Sequence, residues 1–229
     1  MNQSGKTGIL VGASPLGAEA GNLLTILKER NCVTVAADGG LSFFVKNKIR
    51  PDYFFGDGDS LDEVVAAEAR KLFPELELNF CAREKDDTDM RLGMLKCRKE
   101  GVSEVYIFGG IGGERMDHTF ANTALIHEFS EEGISCYLVG EKETFYVLTK
   151  GRSVSYPEEC SGIVSVFSLS PECNLSIKGL HYEFEGSLSG KSSMGVSNEC
   201  CGKNGLITVN DGAALIISQV PFFYNRICK

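Results

Sequence analysis

The stretch Asp52-Tyr53-Phe54-Phe55-Gly56-Asp57-Gly58-Asp59-Ser60 decides how this chain is organised. The aromatic run Tyr53-Phe54-Phe55 predicts a buried strand, and the polar Gly-Asp-Gly-Asp-Ser after it predicts a turn into a helix. Leu61 to Phe73 then carry helical periodicity, with Ser60 placed as N-cap and Glu63 three residues on, a capping-box pattern. The same grammar recurs on both sides. Before it come a strand over Thr7–Val11, a helix over Leu16–Arg30, a strand over Cys32–Ala37 and a short helix over Leu41–Lys48. After it come a strand over Leu76–Cys81, a helix over Thr88–Glu100 closed by a left-handed Gly101, and a strand over Val105–Phe108. A helix over Asp117–Glu132 ending at Gly133 and a strand over Ile134–Val139 complete the series. Repeated strand–helix units imply a mostly parallel sheet with helices on both faces.

Past Gly140 the helical period disappears. Short alternating runs follow at Thr144–Leu148, Val154–Tyr156, Ile163–Leu169, Leu175–Ile177, Leu206–Val209 and Ala214–Gln219, separated by Gly, Ser, Pro and Asn. That pattern predicts antiparallel β-structure. The expected fold class is therefore α/β, a parallel-sheet domain followed by an all-β sandwich or barrel, with the boundary near residues 140–150.

Composition narrows the function. The chain has 229 residues, 43% of them hydrophobic, enough for a core, and no stretch long enough to span a bilayer. A net charge of −8 argues against a nucleic-acid partner, because phosphate neutralisation needs clustered Lys and Arg. The nine cysteines form no Cys-x-x-Cys pair, and Cys200-Cys201 are adjacent, poor geometry for shared zinc ligation. Free thiols in a reducing cytoplasm are the expectation. The residues Met1 to Lys6 run into a strand without the apolar segment and cleavage site of a signal peptide.

The chemistry lies at strand ends. In an open parallel sheet, ligands bind beyond the carboxyl ends of the strands. Asp38 follows one predicted strand in Ala36-Ala37-Asp38-Gly39-Gly40, Asp57 and Asp59 follow another, and Asp89 ends Lys85-Asp86-Asp87-Thr88-Asp89 after a third. Mg²⁺ prefers hard oxygen ligands and takes one or two carboxylates with phosphate oxygens and water. The four acids therefore predict a metal-assisted polyphosphate site. The loop Gly109-Gly110-Ile111-Gly112-Gly113-Glu114-Arg115-Met116-Asp117-His118 leads into a helix. Glycine-freed amides and a helix N-terminus favour phosphate, and Arg115 can add a forked charge. Each Asp taken singly is also an ordinary turn or N-cap residue, as are Thr88 and His118, and Lys85 is equally a solvated loop lysine. Ser4-Gly5-Lys6-Thr7 and Gly186 to Ser192 resemble P-loops but lack the glycine spacing or the strand–loop–helix setting.

Taken in order, Asp38-Gly39-Gly40, Pro51-Asp52 with Gly56-Asp57-x-Asp59-Ser60, Asp86-x-Thr88-Asp89, and Arg115-x-Asp117-His118 with Asn122 resemble the thiamine pyrophosphokinase family. Gly179-Leu180-x-Tyr182 and Gly195-Val196-Ser197-Asn198-Glu199 resemble its thiamine-binding segment. The resemblance implies an α/β nucleotide-binding domain followed by a β-sandwich. It implies transfer of pyrophosphate from ATP to the thiamine hydroxyethyl, with AMP released and Mg²⁺ as cofactor. It also implies a cytoplasmic homodimer whose thiamine site lies between subunits. On that basis Asp57, Asp59 and Asp89 are catalytic, and Asp38, Asp57, Asp59 and Asp89 serve the metal. Gly39, Lys85, Thr88, Gly110, Gly112, Gly113, Arg115, Asp117, His118 and Asn122 hold ATP with Asp38, while Ser197 and Asn198 sit at thiamine. This chain departs from the family at Glu114, where a second glycine is common, and at Gly58, where an aromatic is common. It has no Trp to stack on thiamine; Tyr182 and Phe184 are candidates for that place and equally for the sandwich core.

Two other readings fit part of the pattern. Asp57-Gly58-Asp59 after a strand also matches the nucleophile motif of haloacid-dehalogenase-type phosphatases, although two strands precede it here. A nucleotide-binding sensor without turnover would keep the same cleft.

Overall fold

The structure, a computed structural model, describes residues 6–17, 19–29, 32–56, 62–80, 87–221 and 226–228. The chain divides into two compact units, Met1–Leu125 with Leu138–Glu141, and Ile126–Tyr137 with Lys142–Lys229.

The first unit alternates strand and helix: β1 Lys6–Val11, α1 Glu19–Glu29, β2 Cys32–Ala37, a 3-10 turn Asp38–Gly40, α2 Leu41–Asn47 and β3 Tyr53–Gly56. It continues with α3 Glu63–Leu72, β4 Leu78–Phe80, α4 Asp89–Lys99 and β5 Val102–Phe108; α5 Met116–Glu131 and β6 Ser135–Val139 follow, with residues 126–137 of these two elements counted in the second unit. The strand order is β6–β5–β1–β2–β3–β4. The pairs β1/β2, β1/β5, β2/β3 and β3/β4 are all parallel. β1 and β2 are buried along almost their whole length, as strands covered on both faces must be. The α4 helix packs closely on the sheet: a Cβ at Gly93 would lie 2.5 Å from Leu10 Cδ1, so a larger residue there requires the Leu10 side chain to move.

Two polar clusters hold the amino ends of these strands. Thr34 N and Oγ1 each donate to Asp52 Oδ2 at 2.8 Å, which brackets β2 to the start of β3. Pro51-Asp52 therefore serves the sheet at the end away from the strand carboxyl termini. Glu100 takes Lys6 (3.1 Å), Lys96 (3.0 Å) and the Tyr53 hydroxyl (2.9 Å), and these partners, Lys96 first, hold its carboxyl down at about 2.

The second unit is antiparallel. Its further strands are β7 Thr144–Thr149, β8 Ser153–Tyr156, β9 Ile163–Ser168, β10 Glu172–Lys178 and β11 Phe184–Ser189. They are followed by β12 Asn198–Glu199, β13 Gly205–Asp211, β14 Ala213–Ser218 and β15 Arg226–Cys228. One layer runs β12–β9–β14–β7 and the other β11–β10–β13–β8–β15. β10 alternates buried and partly exposed residues, the period of a sheet with one face on a core. The buried Tyr146 and Tyr156 hydroxyls bond one another, satisfying two polar groups that would otherwise be costly.

The sequence-based boundaries hold to within one to three residues at most elements. The α3 cap and the strands β11, β12 and β15 differ from the expectation. The N-cap of α3 is Asp62, whose carboxylate accepts the Val64 N–H at 2.7 Å, and not Ser60. The expected helix start at Ser60 and Leu61 lies outside the described residues. β11 leaves no period in the sequence because its inward positions include Gly186, whose missing side chain erases the apolar alternation. Seven cysteines among the described residues are free thiols, and no described helix is long and apolar enough to cross a membrane.

Candidate active site

β1, β2, β3 and β5 are parallel neighbours and end at Val11, Ala37, Gly56 and Phe108, so their following loops leave from one edge. Backbone bonds join two of these loops: Gly12 N donates to Phe108 O (2.8 Å) and Ser14 N to Gly109 O (3.0 Å). A Cβ on Gly12 would lie 2.6 Å from Gly109 O, and one on Gly40 would lie 2.0 Å from Val11 O. The loops approach so closely that only hydrogen fits between them. Beside this rim lies a cavity of about 570 Å³, lined by the Gly12–Leu16 loop, Gly39, Ser42, Phe43 and Lys46 among others.

Asp38 begins the 3-10 turn with a left-handed φ of 51°, a conformation Asp tolerates better than most residues. Its Oδ1 lies 3.3 Å from where a Gly56 Cβ would stand, against the last residue before Asp57. Asp89 is the first residue of α4, and the next residue, Met90, sets that helix start at the rim. Met90 Sδ is 3.2 Å from the Cβ position of Gly12, and its Cε is 3.3 Å from that of Gly110. Thr88 is the α4 N-cap, with Oγ1 accepting the Arg91 N–H at 3.2 Å. Asp38 and Asp89 are thus carried to the same strand ends. Asp57, Asp59 and Lys85 lie outside the described residues. Among the described residues no group of three or more His, Cys, Asp or Glu surrounds a point. The donor chemistry nonetheless suits Mg²⁺: hard carboxylate oxygens, few in number, beside a glycine rim able to receive phosphate.

The glycine loop after β5 is shaped by Asn122. This residue is 7% exposed, and its Nδ2 donates to Gly110 O at 2.6 Å. Gly109 and Gly112 are left-handed, with φ of 63° and 80°. Gly113 abuts Ser14, whose Oγ is 2.7 Å from a Gly113 Cβ position, whereas nothing lies within 4 Å of that position at Gly112. Gly112 is the open point of the loop.

Arg115 does not stand alone at the mouth. Its Nε and Nη2 donate to Asp117 Oδ1 and Oδ2 at 2.9 and 2.5 Å, a fork on a carboxylate. Arg115 holds the Asp117 carboxyl down at about 2, and Asp117 raises the guanidinium in return. Both side chains are exposed, so a phosphate would compete with Asp117 for this fork in water. His118 and Glu114 are exposed at the same turn.

The second unit has its own cavity, about 520 Å³, lined by Tyr182, Glu183, Phe184, Met194, Val196, Ser197 and Asn198 with the apolar side chains of Val166, Leu175, Ile177 and Leu188. Asn198 is 5% exposed. Its Oδ1 accepts the Tyr182 N–H (2.9 Å), and its Nδ2 donates to Tyr182 O (2.7 Å). Both ends of the amide bond the Tyr182 backbone, and Oδ1 also accepts the Glu199 N–H at 2.9 Å, which fixes Asn198 in the cavity wall. Ser197 is left-handed (φ 61°) and exposed, and its N–H donates to Ser165 Oγ at 3.1 Å. Tyr182 is 63% exposed and Met194 65%, so both present apolar surface beside the cavity.

No sequence motif marks the Gly12–Ser14 loop or Glu183. The first was findable, because it follows a predicted strand as the acidic loops do. The second had no signal, since an isolated Glu in a β-rich segment resembles any surface acid.

Comparison with known proteins agrees with this geometry. The family described as thiamin pyrophosphokinase, catalytic domain, matches residues 24–138, and that described as thiamin pyrophosphokinase, vitamin B1 binding domain, matches residues 153–214. The fold is shared with the crystal structure of thiamine pyrophosphokinase from Bacillus subtilis: 23% identity, TM-score 0.82, covering 93% of this chain and 99% of that one. The Geobacillus thermodenitrificans structure gives 24% identity and TM-score 0.77, covering 93% and 97%. The yeast thiamin pyrophosphokinase gives 16% and 0.73, covering 97% and 89%. No curated protein matches the sequence significantly. With its catalytic match spanning the acidic, glycine-rich rim and its vitamin-binding match spanning the second cavity, the chain belongs to the thiamin pyrophosphokinase family, whose members are ATP-dependent diphosphotransferases.

Proposed function

We propose that this chain carries out the family reaction, moving a pyrophosphoryl group from ATP to the hydroxyethyl of thiamine and releasing AMP, with the work divided between its two units. Residues 1–145 act as the ATP- and metal-binding domain and 146–229 as the thiamine-binding domain. The ATP phosphates lie on the glycine rim, where the exposed Gly112 leaves backbone amides uncovered and α5 begins. Gly39, Gly110 and Gly113 shape that surface, and Asn122 fixes it through Gly110. Thr88 keeps its hydroxyl proton for a phosphate oxygen while Oγ1 caps α4. Arg115 turns its fork from Asp117 to phosphate, with Lys85 and His118 at the same mouth. Asp38 and Asp89, joined by Asp57 and Asp59 from the sequence, would hold Mg²⁺, which supplies charge neutralisation to the phosphates when bound.

One of Asp57, Asp59 and Asp89 takes the proton of the thiamine hydroxyl, and the others stay ionised toward the metal, since one carboxylate serves both tasks poorly. Ser197 meets thiamine, and Asn198 holds Tyr182 beside it. The protein works as a cytoplasmic homodimer: exposed Met116 and Phe120 in one unit and Tyr182, Met194 and Val196 in the other are apolar surfaces that a second copy covers.

The observation that carries this reading is the pair of family matches, in order, on the unit with the acidic glycine rim and the unit with the apolar cavity. The test is AMP formation from ATP with and without thiamine, with thiamine diphosphate as the second product. AMP should require both substrates and a divalent cation. Release of inorganic phosphate through a trapped aspartyl-phosphate, or no turnover at all, would refute it. Asp89→Asn should abolish transfer and leave the fold intact.

A further inference from the structure

The cavity of the second unit is mostly apolar, walled by Leu175, Ile177, Phe184 and Leu188, yet it carries one formal charge. Among the described residues lining it, Glu183 alone is acidic or basic. Its carboxylate is directed rather than loose. Oε1 accepts the Gly179 N–H at 2.9 Å, and Gly179 is itself fixed, left-handed at φ 70° with Asn204 O 2.0 Å from its Cβ position. The neighbouring Tyr182 is clamped at both backbone atoms by Asn198. Glu183 is exposed, which places it at the mouth of the cavity and not in its depth.

We infer that Glu183 recognises the fixed positive charge of the substrate's thiazolium ring at this mouth. The inference rests on the thiamine reading above and adds the residue that selects for charge. Thiamine joins a neutral aminopyrimidine to a cationic thiazolium, and the hydroxyethyl that receives the pyrophosphoryl group hangs on the thiazolium. That arm must stay outside to reach phosphate. The neutral ring therefore enters the apolar interior, and the cationic ring stays at the rim beside Glu183. A carboxylate set in a largely apolar wall attracts such a cation more than one in open water. Because Glu183 is exposed, the effect is modest, about fivefold in affinity, the upper end for solvent-exposed pairs.

The experiment is calorimetric titration of the full-length wild type and Glu183→Gln with thiamine and with its neutral carbon isostere, in which the thiazolium nitrogen is replaced by carbon. Glutamine keeps the acceptor for Gly179 N–H and removes only the charge. The expected result is thiamine binding about fivefold weaker in Glu183→Gln, with the isostere bound as tightly as by the wild type. A Glu183→Lys variant should weaken thiamine further and spare the isostere. Equal weakening of both ligands, or an unchanged preference for thiamine over the isostere, overturns the charge-recognition role while leaving the thiamine reading standing. A wild-type protein that binds no thiamine overturns both.

Discussion

Replacing Asn122 with alanine should weaken the protein and its grip on ATP together. The side chain is buried, and its 2.6 Å bond is made to the carbonyl of Gly110, also buried. Alanine cannot donate, so the carbonyl is left inside the loop without this partner, at a cost of about 1–3 kcal/mol. For a chain of this size about 2 kcal/mol lowers the melting temperature by about 4–8 °C. The functional effect follows from position. Gly110 is wedged among Leu138, Ile107 and Met90, and Met90 adjoins Asp89 at the start of α4. Loosening Gly110 therefore disturbs both the glycine rim and the helix start that carries an acid. The KM for ATP should rise several-fold, with that for thiamine much less affected. Thermal unfolding and steady-state AMP formation measure both. An Asn122→Ala protein that melts within a degree of wild type and keeps its KM for ATP would show that this bond does not hold the loop.

Thr88→Ala removes the α4 N-cap and should cost about 1 kcal/mol in chemical denaturation, with Thr88→Ser restoring most of it. Asp117 should titrate near 2 by carboxyl-carbon NMR and return toward the ordinary Asp range in Arg115→Gln. Because its folded value is lowered, the stabilisation from this pair is present above the unfolded Asp value and disappears as pH falls through about 2. Gly40→Ala should fail to fold or melt far lower, since its Cβ would meet Val11 O at 2.0 Å. Gly112→Ala, with open space around it but φ of 80°, should cost only about 1–2 kcal/mol of backbone strain, read from chemical denaturation.

The chain announces its strand–helix alternation locally. β1 and β2 are continuous apolar runs because both faces are covered, and Gly101 and Gly133 follow helix ends as left-handed caps, with φ of 74° and 92°. From that alternation alone the strand ends, and hence Asp38, Asp89 and the glycine loop, could be named, because a parallel sheet sends all its carboxyl termini to one edge. How the side chains around that edge are held depends on partners that the pattern does not show. Asp62 took the cap assigned to Ser60 because its own carboxylate reaches the Val64 N–H. Arg115 is gripped by Asp117 two residues on, a pairing that depends on how the turn folds. Asn122 and Asn198, which the family resemblance places at ATP and thiamine, are buried and bond Gly110 and Tyr182. A buried amide must find a partner, and only the folded backbone decides which carbonyl is within reach. The close approach of Gly12 to Gly109 has the same origin: contacts between segments far apart along the chain exist only after the chain has packed.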